Sequence, residues 1–174
     1  MDSIKVIIWL FPIIFMVHDF EEIIIVEAWK KRYANQLKIL KKAPFSDLKS
    51  TPSFSIGVAI EFIVISLVTL FSCIFDSYLL WYGMFFGFAA HLVIHCFMSA
   101  KFKHYVPGVV TSVPFLPICV YLLYVSIRFF TFSKFEIIAY CAVGIATVYL
   151  MVFLLHKGMG TFEKLIRLLE KKVS

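Results

Sequence analysis

Five long apolar runs divide the chain, and a more polar stretch separates each run from the next. They lie near residues 4–26, 53–75, 78–99, 108–131 and 135–156. A helix that crosses a bilayer needs about 20 predominantly apolar residues, and each run meets that length. The pattern predicts an all-α integral membrane protein. We place a five-span transmembrane helical bundle in residues 1–156, with a cytoplasmic loop at 27–52.

Beyond the fifth run the periodicity changes. In the segment GTFEKLIRLLEKKV, residues 160–173, apolar side chains recur with charged residues between them. The apolar positions are Phe162, Leu165, Ile166, Leu168, Leu169 and Val173. This spacing is typical of an amphipathic helix that lies on a membrane surface. We therefore assign residues 157–174 to a C-terminal interfacial amphipathic helix, which forms a cytoplasmic tail.

Composition excludes an ordinary soluble domain. Apolar residues make up 61% of the chain and the mean hydropathy is +0.92, whereas soluble domains contain about 45–50% apolar residues. The opening MDSIK carries little positive charge, so we expect no cleavable signal peptide. The cysteines lie inside apolar runs without paired spacing, which favours packing residues over a disulfide framework. They are Cys73, Cys96, Cys119 and Cys141.

The distribution of positive charge predicts the orientation. Fourteen of the seventeen Lys and Arg residues lie in the segment 27–52, the loop 101–106 and the tail. Cytoplasmic loops carry the excess of Lys and Arg, so these alternate loops are expected inside the cell. The N-terminus is then outside and the C-terminus is cytoplasmic. Because the basic residues follow the topology, the net charge of +6 does not indicate a nucleic-acid partner, and membrane lipid is the expected one.

Ionisable groups interrupt the first span. The stretch FMVHDFEEIII, residues 15–25, contains His18, Asp19, Glu21 and Glu22. An ionised side chain at the centre of a bilayer costs about 2.5–3.5 kcal/mol on insertion scales, and such residues usually have partners and functions. The spans contain no Lys or Arg at the same depth to pair with them. Protons or a bound metal ion must therefore neutralise these carboxylates.

Polar residues of two other spans lie at the same depth. Glu61 is near the cytoplasmic start of the second span, and the sequence HLVIH places His91 and His95 near the cytoplasmic end of the third. With 1.5 Å of rise per residue, these three residues and His18 lie roughly 6–12 Å below the cytoplasmic boundary. The sequence therefore predicts that polar groups from three helices converge on one site.

The spacing within each helix predicts which residues bind metal. Glu22 is four residues after His18, so both share one helical face. His91 and His95 are also four apart, the separation that lets two imidazoles reach one ion. We therefore predict a divalent metal site with zinc favoured over iron or manganese. Its ligands are His18, Glu22, His91 and His95.

Three other polar residues have a less certain relation to this site. Asp19 turns about 100° away from His18 on the helix, so we rank it below its neighbours. His104 belongs to the polar KFKHY segment, and the sequence leaves open whether it or Asp19 joins the site. His156, at the end of the fifth run, is expected to be a packing residue with satisfied hydrogen bonds.

The motif residues also resemble a known family. The pattern H-x-x-E-E is complete at His18, Glu21 and Glu22, and HLVIH is followed by HYVPGVVTS. This combination resembles the HXXEE domain family of small bacterial membrane proteins over most of the chain. The resemblance implies a multi-pass protein of the bacterial cell (plasma) membrane with a polar, metal-binding core. It supplies no reaction.

The site alone is also similar to that of ceramidase and progestin-receptor-like membrane hydrolases, in which three histidines hold zinc. We therefore expect a zinc hydrolase that acts on a lipid or other membrane-associated substrate from the cytoplasmic side. His18, His91 and His95 would bind the ion, with Glu22 as a fourth ligand. The general base would be Glu21 or Glu61. The substrate entrance would be lined by Tyr105 and Thr111 beside the PG turn.

Two other functions remain open from the sequence. Three glutamates and three histidines are the ligand types of dinuclear iron or manganese oxidoreductases, although the order here is His-x-x-Glu and only three helices contribute. An ion or proton transporter would also use intramembrane Glu and His residues. A transport path should extend across the bilayer, whereas these residues cluster on one side. The oligomeric state is not determined by the sequence.

Overall fold

The protein is all-helical over the residues that its structure, a computed structural model, describes: 3–40 and 44–173. The helices are α1 (Ser3–Arg32), α2 (Ala34–Ile39), α3 (Thr51–Ile74), α4 (Leu79–Phe102), α5 (Val109–Phe129) and α6 (Lys134–Val173). Residues 1, 2, 41–43 and 174 belong to the predicted bundle, loop and tail but lie outside the described residues. Each predicted span corresponds to one long helix, and the short α2 lies in the predicted loop.

The number of membrane spans differs from the sequence prediction. Four helices, α3 to α6, are long and apolar enough to cross a membrane. The first helix is not among them, and its apolar run contains Lys5, Asp19, Glu21 and Glu22. Five spans are therefore not confirmed, and membrane insertion of α1 stays a prediction. Its charged residues are the ones that build the site described below.

The C-terminal tail also differs from the prediction. The structure continues α6 without a break through 40 residues, so a separate interfacial helix is not confirmed. A helix of this length extends about 60 Å, twice the thickness of a bilayer core. The C-terminal half of α6 contacts the start of α3. Ser50 Oγ donates a hydrogen bond to Glu163 Oε2 at 2.6 Å. Met159, one turn before Glu163, is 1% exposed.

Local signals explain where two of these helices begin. Ser50 caps α3. Its side chain accepts from the backbone N–H of Ser53, and the Ser53 hydroxyl oxygen accepts from the backbone N–H of Ser50. Pro52 occupies the first turn, where no intrahelical N–H is required. The start of α5 is different, because Gly108 at its N-cap has φ of +90°, in the left-handed region. That conformation favours glycine over any residue with a Cβ.

Close backbone contact joins α4 to α6. A Cβ on Gly83 would overlap the carbonyl oxygen of Tyr140, and one on Gly87 would overlap that of Gly144. Gly83 and Gly87 are four residues apart, the small-xxx-small spacing that lets helix backbones approach in membranes. Beside this contact, α4 also packs on α5, and α1 packs on α3. All five long helices therefore contribute to one bundle.

Aromatic side chains fill the bundle between α1 and α4. Phe11 packs against Trp81, Phe85 and Phe88 with ring centroids 5.0–6.4 Å apart. The indole N–H of Trp81 donates to the carbonyl of Ile8 at 3.1 Å, which satisfies its only polar atom in the core. This packing fixes the register of α1 against α4 next to the polar cluster, since Phe88 also contacts the ring of His18.

Candidate metal centre

Four side chains from α1 and α4 meet inside the bundle. His18, Glu22, His91 and His95 each present one ligand atom, and these atoms all lie within 4.8 Å of one another. His95 Nε2 is 3.0 Å from Glu22 Oε1 and 2.9 Å from His91 Nε2. His18 Nε2 lies 3.8 Å from the same Glu22 oxygen. The four residues that the sequence predicted as metal ligands are thus brought together, and they could hold a metal ion.

Hydrogen bonds on the far side of two rings fix their tautomers. His95 Nδ1 lies 2.9 Å from the carbonyl oxygen of Pro107, which can only accept, so this nitrogen donates. His18 Nδ1 lies 2.9 Å from the hydroxyl of Thr111, and that hydroxyl already donates to Glu21 at 2.6 Å. Nδ1 of His18 therefore donates as well. Both rings then direct the Nε2 lone pair toward Glu22, as metal-binding histidines do.

This arrangement is suited to a cation. In neutral His95 the Nε2 lone pair faces a carboxylate oxygen at 3.0 Å, and neither atom has a proton to share. A proton on His95 would satisfy this pair but would leave His18 Nε2, which is buried without a hydrogen-bond partner. A metal ion held by the four atoms would satisfy both. Ligand atoms around tetrahedral zinc are about 3.3 Å apart, close to the separations found here.

Glu21 has a different role from its neighbour Glu22. Its carboxylate accepts from the backbone N–H groups of Gly108, Val110 and Thr111, at 3.1, 3.2 and 2.7 Å. It also accepts from the Tyr105 hydroxyl at 2.7 Å and the Thr111 hydroxyl at 2.6 Å. An anion at a helix N-terminus interacts favourably with its free N–H groups and its dipole. We name Glu21 and residues 105–111 the α5 latch.

Tyr105 and Trp29 attach the latch to the cytoplasmic end of the bundle. Burial and the hydrogen bond to Glu21 raise the pKa of Tyr105, so its phenol remains a donor at neutral pH. The indole of Trp29 donates to the carbonyl of Tyr105 at 2.5 Å. The sequence HYVPGVVT therefore supplies partners to Glu21, His18 and His95 together, and it orients the two histidine rings.

Gly108 lies where the latch touches the site. A Cβ at this position would lie 2.5 Å from His95 Nδ1 and 2.6 Å from Glu22 Oε1. Together with its φ of +90°, this leaves room for glycine only. The chain thus passes directly over two of the four candidate ligands and closes that side of the site.

On its other side the site opens into an apolar cavity of about 300 Å³ between α1, α3, α4 and α6. Three carboxylic side chains line it, those of Asp19, Glu22 and Glu61, together with His91, His95 and His156. Asp19 is 6% exposed and Glu61 is 7% exposed. Asp19 Oδ2, Glu61 Oε1 and His156 Nδ1 are all buried without a hydrogen-bond partner. The remaining lining is almost entirely apolar, from residues such as Phe15, Phe54 and Ile65.

The structure answers several questions that the sequence left open. Asp19 joins the wall of the cavity, whereas His104 is exposed and stacks on Tyr33 away from the site. His156 was expected to be a satisfied packing residue, but it lines the cavity with an unpartnered Nδ1. Tyr105 and Thr111, the predicted entrance, do not line this cavity and instead bond to Glu21.

Sequence reasoning missed the contributions of Pro107 and Gly108. Pro107 contributes a backbone carbonyl and Gly108 contributes an N–H group and the space left by its absent side chain. Such roles leave no polar side chain in the sequence to indicate them. The only available signal was the PG pair shortly after HLVIH, which indicates a turn.

Together these features define the class: an all-helical protein with membrane-length apolar helices and a buried His–Glu cluster that could hold a metal. The chain belongs to the family of proteins of unknown function with an HXXEE motif, which it matches over residues 9–122. That region contains the four candidate ligands and the α5 latch, whereas α6 with His156 lies outside it. Neither the curated proteins nor the solved structures that were compared gave a match.

Proposed function

We propose that this protein is a zinc-dependent hydrolase that acts on a lipid or lipid-like substrate within the membrane. The observation that carries the proposal is the set of three imidazoles and one carboxylate, whose ligand atoms lie close enough together to hold one cation. Three histidines with one further position for water or substrate are the ligand set of catalytic zinc. The adjoining apolar cavity would receive the lipid part of the substrate.

The roles of the residues follow from their hydrogen bonds. His18, His91 and His95 would bind the metal, and Glu22 would be the fourth ligand, displaced or retained when substrate binds. Glu61 is the better candidate for the general base, because it lines the cavity and its Oε1 has no partner. Glu21 accepts five hydrogen bonds, so we assign it a positioning role through the α5 latch.

Zinc bound here would polarise a scissile carbonyl or phosphoryl group and would make a bound water molecule more acidic. Glu61 would accept the proton of that water and return it to the leaving group. The apolar lining would exclude bulk water from the reaction. The excess of Lys and Arg in alternate loops supports a cytoplasmic position for the site in the bacterial cell membrane, with the N-terminus outside.

Elemental analysis of purified protein tests this proposal. After a chelator wash and reloading with equimolar zinc, iron and manganese, the wild type should retain about one zinc per chain, as expected for one four-ligand site. A His91→Ala, His95→Ala double variant should retain none. His104→Ala is the matched control, because this histidine is exposed, stacks on Tyr33 and is not one of the four candidate ligands. A folded wild type without metal would refute the proposal, whereas zinc retention would justify a screen of lipid esters and amides.

A second candidate, a dinuclear iron or manganese oxidoreductase, is favoured by one observation. Asp19, Glu22 and Glu61 line the same cavity as the histidines, and carboxylates from facing helices are typical of dinuclear sites. The same elemental analysis separates the two functions. About two iron or manganese ions per chain, with Asp19→Asn and Glu61→Gln each reducing the count, would favour the oxidoreductase.

A further inference from the structure

Asp19 is the buried acidic residue that the proposed hydrolysis does not use. It is 6% exposed, lines the cavity beside Glu61, and its Oδ2 has no hydrogen-bond partner. A buried carboxylate without a donor is costly, so such a group either takes up a proton or meets a partner that the protein itself does not supply. The Asp19 side chain lines a ligand-sized cavity, so a ligand bound there could supply the missing donor.

The charges around the cavity indicate the sign of that ligand. Three carboxylic side chains line the cavity, so with all three ionised even a divalent ion in the His–Glu site would leave one negative charge without a counter-charge. The described residues that line the cavity include no Lys or Arg. A ligand that carries a positive charge and an N–H donor would satisfy both the remaining charge and the unpartnered oxygen.

The rest of the cavity indicates what accompanies this positive group. Its wall between α4 and α6 is formed by Ala90, Ile94, Val148 and Tyr149. Ile94 is 50% exposed and Tyr149 is 70% exposed on the outer surface of apolar helices. The cavity therefore opens laterally toward lipid, below the close Gly contact of the same two helices. At about 300 Å³ it has the volume of a small ligand pocket, which suits one hydrocarbon chain.

We propose that the cavity binds a single-chain amphiphile with a primary amine in its head group, and that Asp19 recognises the ammonium. The chain would pass between α4 and α6, and the head would lie beside the His–Glu cluster. That this amphiphile is a substrate rests on the function proposed above. The binding of an amine does not, because Asp19 is not one of the proposed metal ligands.

Native mass spectrometry of the full chain tests the proposal with three probes: dodecylamine, dodecanol and dodecyltrimethylammonium. The first has charge and N–H donors, the second has no charge, and the third has charge without N–H. Wild-type protein, chelator-washed and zinc-loaded, should bind dodecylamine at least about 10-fold more tightly than either other probe, as a charged hydrogen bond provides. Asp19→Asn should abolish this preference, and Asp47→Asn, at an exposed aspartate, should preserve it.

The wild-type comparison needs no substitution, so it tests the proposal even if Asp19→Asn fails to fold. Ile94→Trp, which narrows the lateral opening, should weaken all three probes together. Equal binding of the three probes to the wild type, or an unchanged preference in folded Asp19→Asn, overturns the inference. Zinc retention without amine preference refutes this inference alone. Amine preference without zinc refutes the hydrolase and leaves the amine site in place.

Discussion

The two adjacent carboxylates Glu21 and Glu22 have opposite surroundings. Glu21 faces the α5 latch, where both its oxygens accept hydrogen bonds, five in total. Glu22 faces the cavity, where its Oε1 is buried and lies 3.0 Å from a histidine nitrogen that has no proton to donate in the neutral ring. Two neighbouring glutamates therefore differ in that both oxygens of Glu21 accept hydrogen bonds, whereas Glu22 Oε1 has no hydrogen-bond donor.

This difference separates residues whose hydrogen bonds stabilise the fold from residues whose buried oxygens lack a partner. A hydrogen bond to a charged group contributes about 1.5–3 kcal/mol, and an unsatisfied buried polar group costs about as much. The α5 latch therefore stabilises the bundle without any ligand. The cavity side contains buried oxygens of Asp19, Glu22 and Glu61 that have no hydrogen-bond partner, an unfavourable arrangement that a cation or a donor would relieve. The predictions below test this division, beginning with the contact between the two regions.

Gly108→Ala should have the largest effect, because Gly108 lies between the latch and the site. A left-handed residue with a Cβ and an overpacked neighbour together cost about 2–5 kcal/mol. The new methyl group would also press on His95 and Glu22, so zinc retention should fall. Thermal unfolding and elemental analysis measure the two effects.

The matched control is Gly160→Ala in α6. A Cβ there would meet nothing within 4 Å, and this glycine lies in a helix. Alanine should therefore be neutral or stabilise by about 0.5–1 kcal/mol. Equal unfolding temperatures for the two variants would show that the close approach of Gly108 to the site has no energetic importance.

Glu21→Gln and Glu22→Gln should have opposite effects. The first variant loses the anion at the start of α5, so metal-free protein should lose about 1.5–3 kcal/mol of stability. The second removes a buried carboxylate that lacks a donor unless His95 is protonated, so metal-free protein should stay close to wild-type stability. With zinc at 100 times its dissociation constant, the wild type should gain about 2.7 kcal/mol, and Glu22→Gln should gain little.

Thermal unfolding with and without zinc measures both variants in one experiment. Glu21→Gln should still gain stability from zinc, because its own side chain is not among the four candidate ligands. If Glu21→Gln loses the zinc effect and Glu22→Gln keeps it, the assignment of the two roles is reversed.

The helical architecture could be predicted from the sequence because the length of each apolar run indicates a membrane-length helix. Each predicted span corresponds to a helix, with the second at 51–74 instead of 53–75 and the third at 79–102 instead of 78–99. The tail could not be predicted in the same way. Its amphipathic pattern describes which faces are apolar, whereas the contact between Ser50 and Glu163 depends on where α3 begins.

The grouping of the candidate ligands was also predictable, since helical spacing and depth determine which side chains converge. The separation of Glu21 from Glu22 was not. Both lie on the same side of α1 as His18, and only the position of α5 decides that Glu21 meets backbone N–H groups. Similarly, helical spacing places Asp19 on a different face of α1 from His18. Asp19 nevertheless lines the cavity, and Glu61 of α3 lines the same cavity beside it.

Of these variants, Tyr105→Phe should change the free energy of unfolding least, because Glu21 keeps four of its five donors. We expect a loss of about 1 kcal/mol without loss of zinc. Burial raises the pKa of Tyr105, so its contribution is complete below the unfolded value and declines as pH rises above it. The stability difference between wild type and variant should therefore be constant from about pH 6 to 9 and narrow above about pH 10. Tyr121→Phe, at an exposed position on α5, is the control and should unfold like the wild type. A stability difference that already narrows near neutral pH would mean that the phenol does not donate to Glu21, and would remove Tyr105 from the latch.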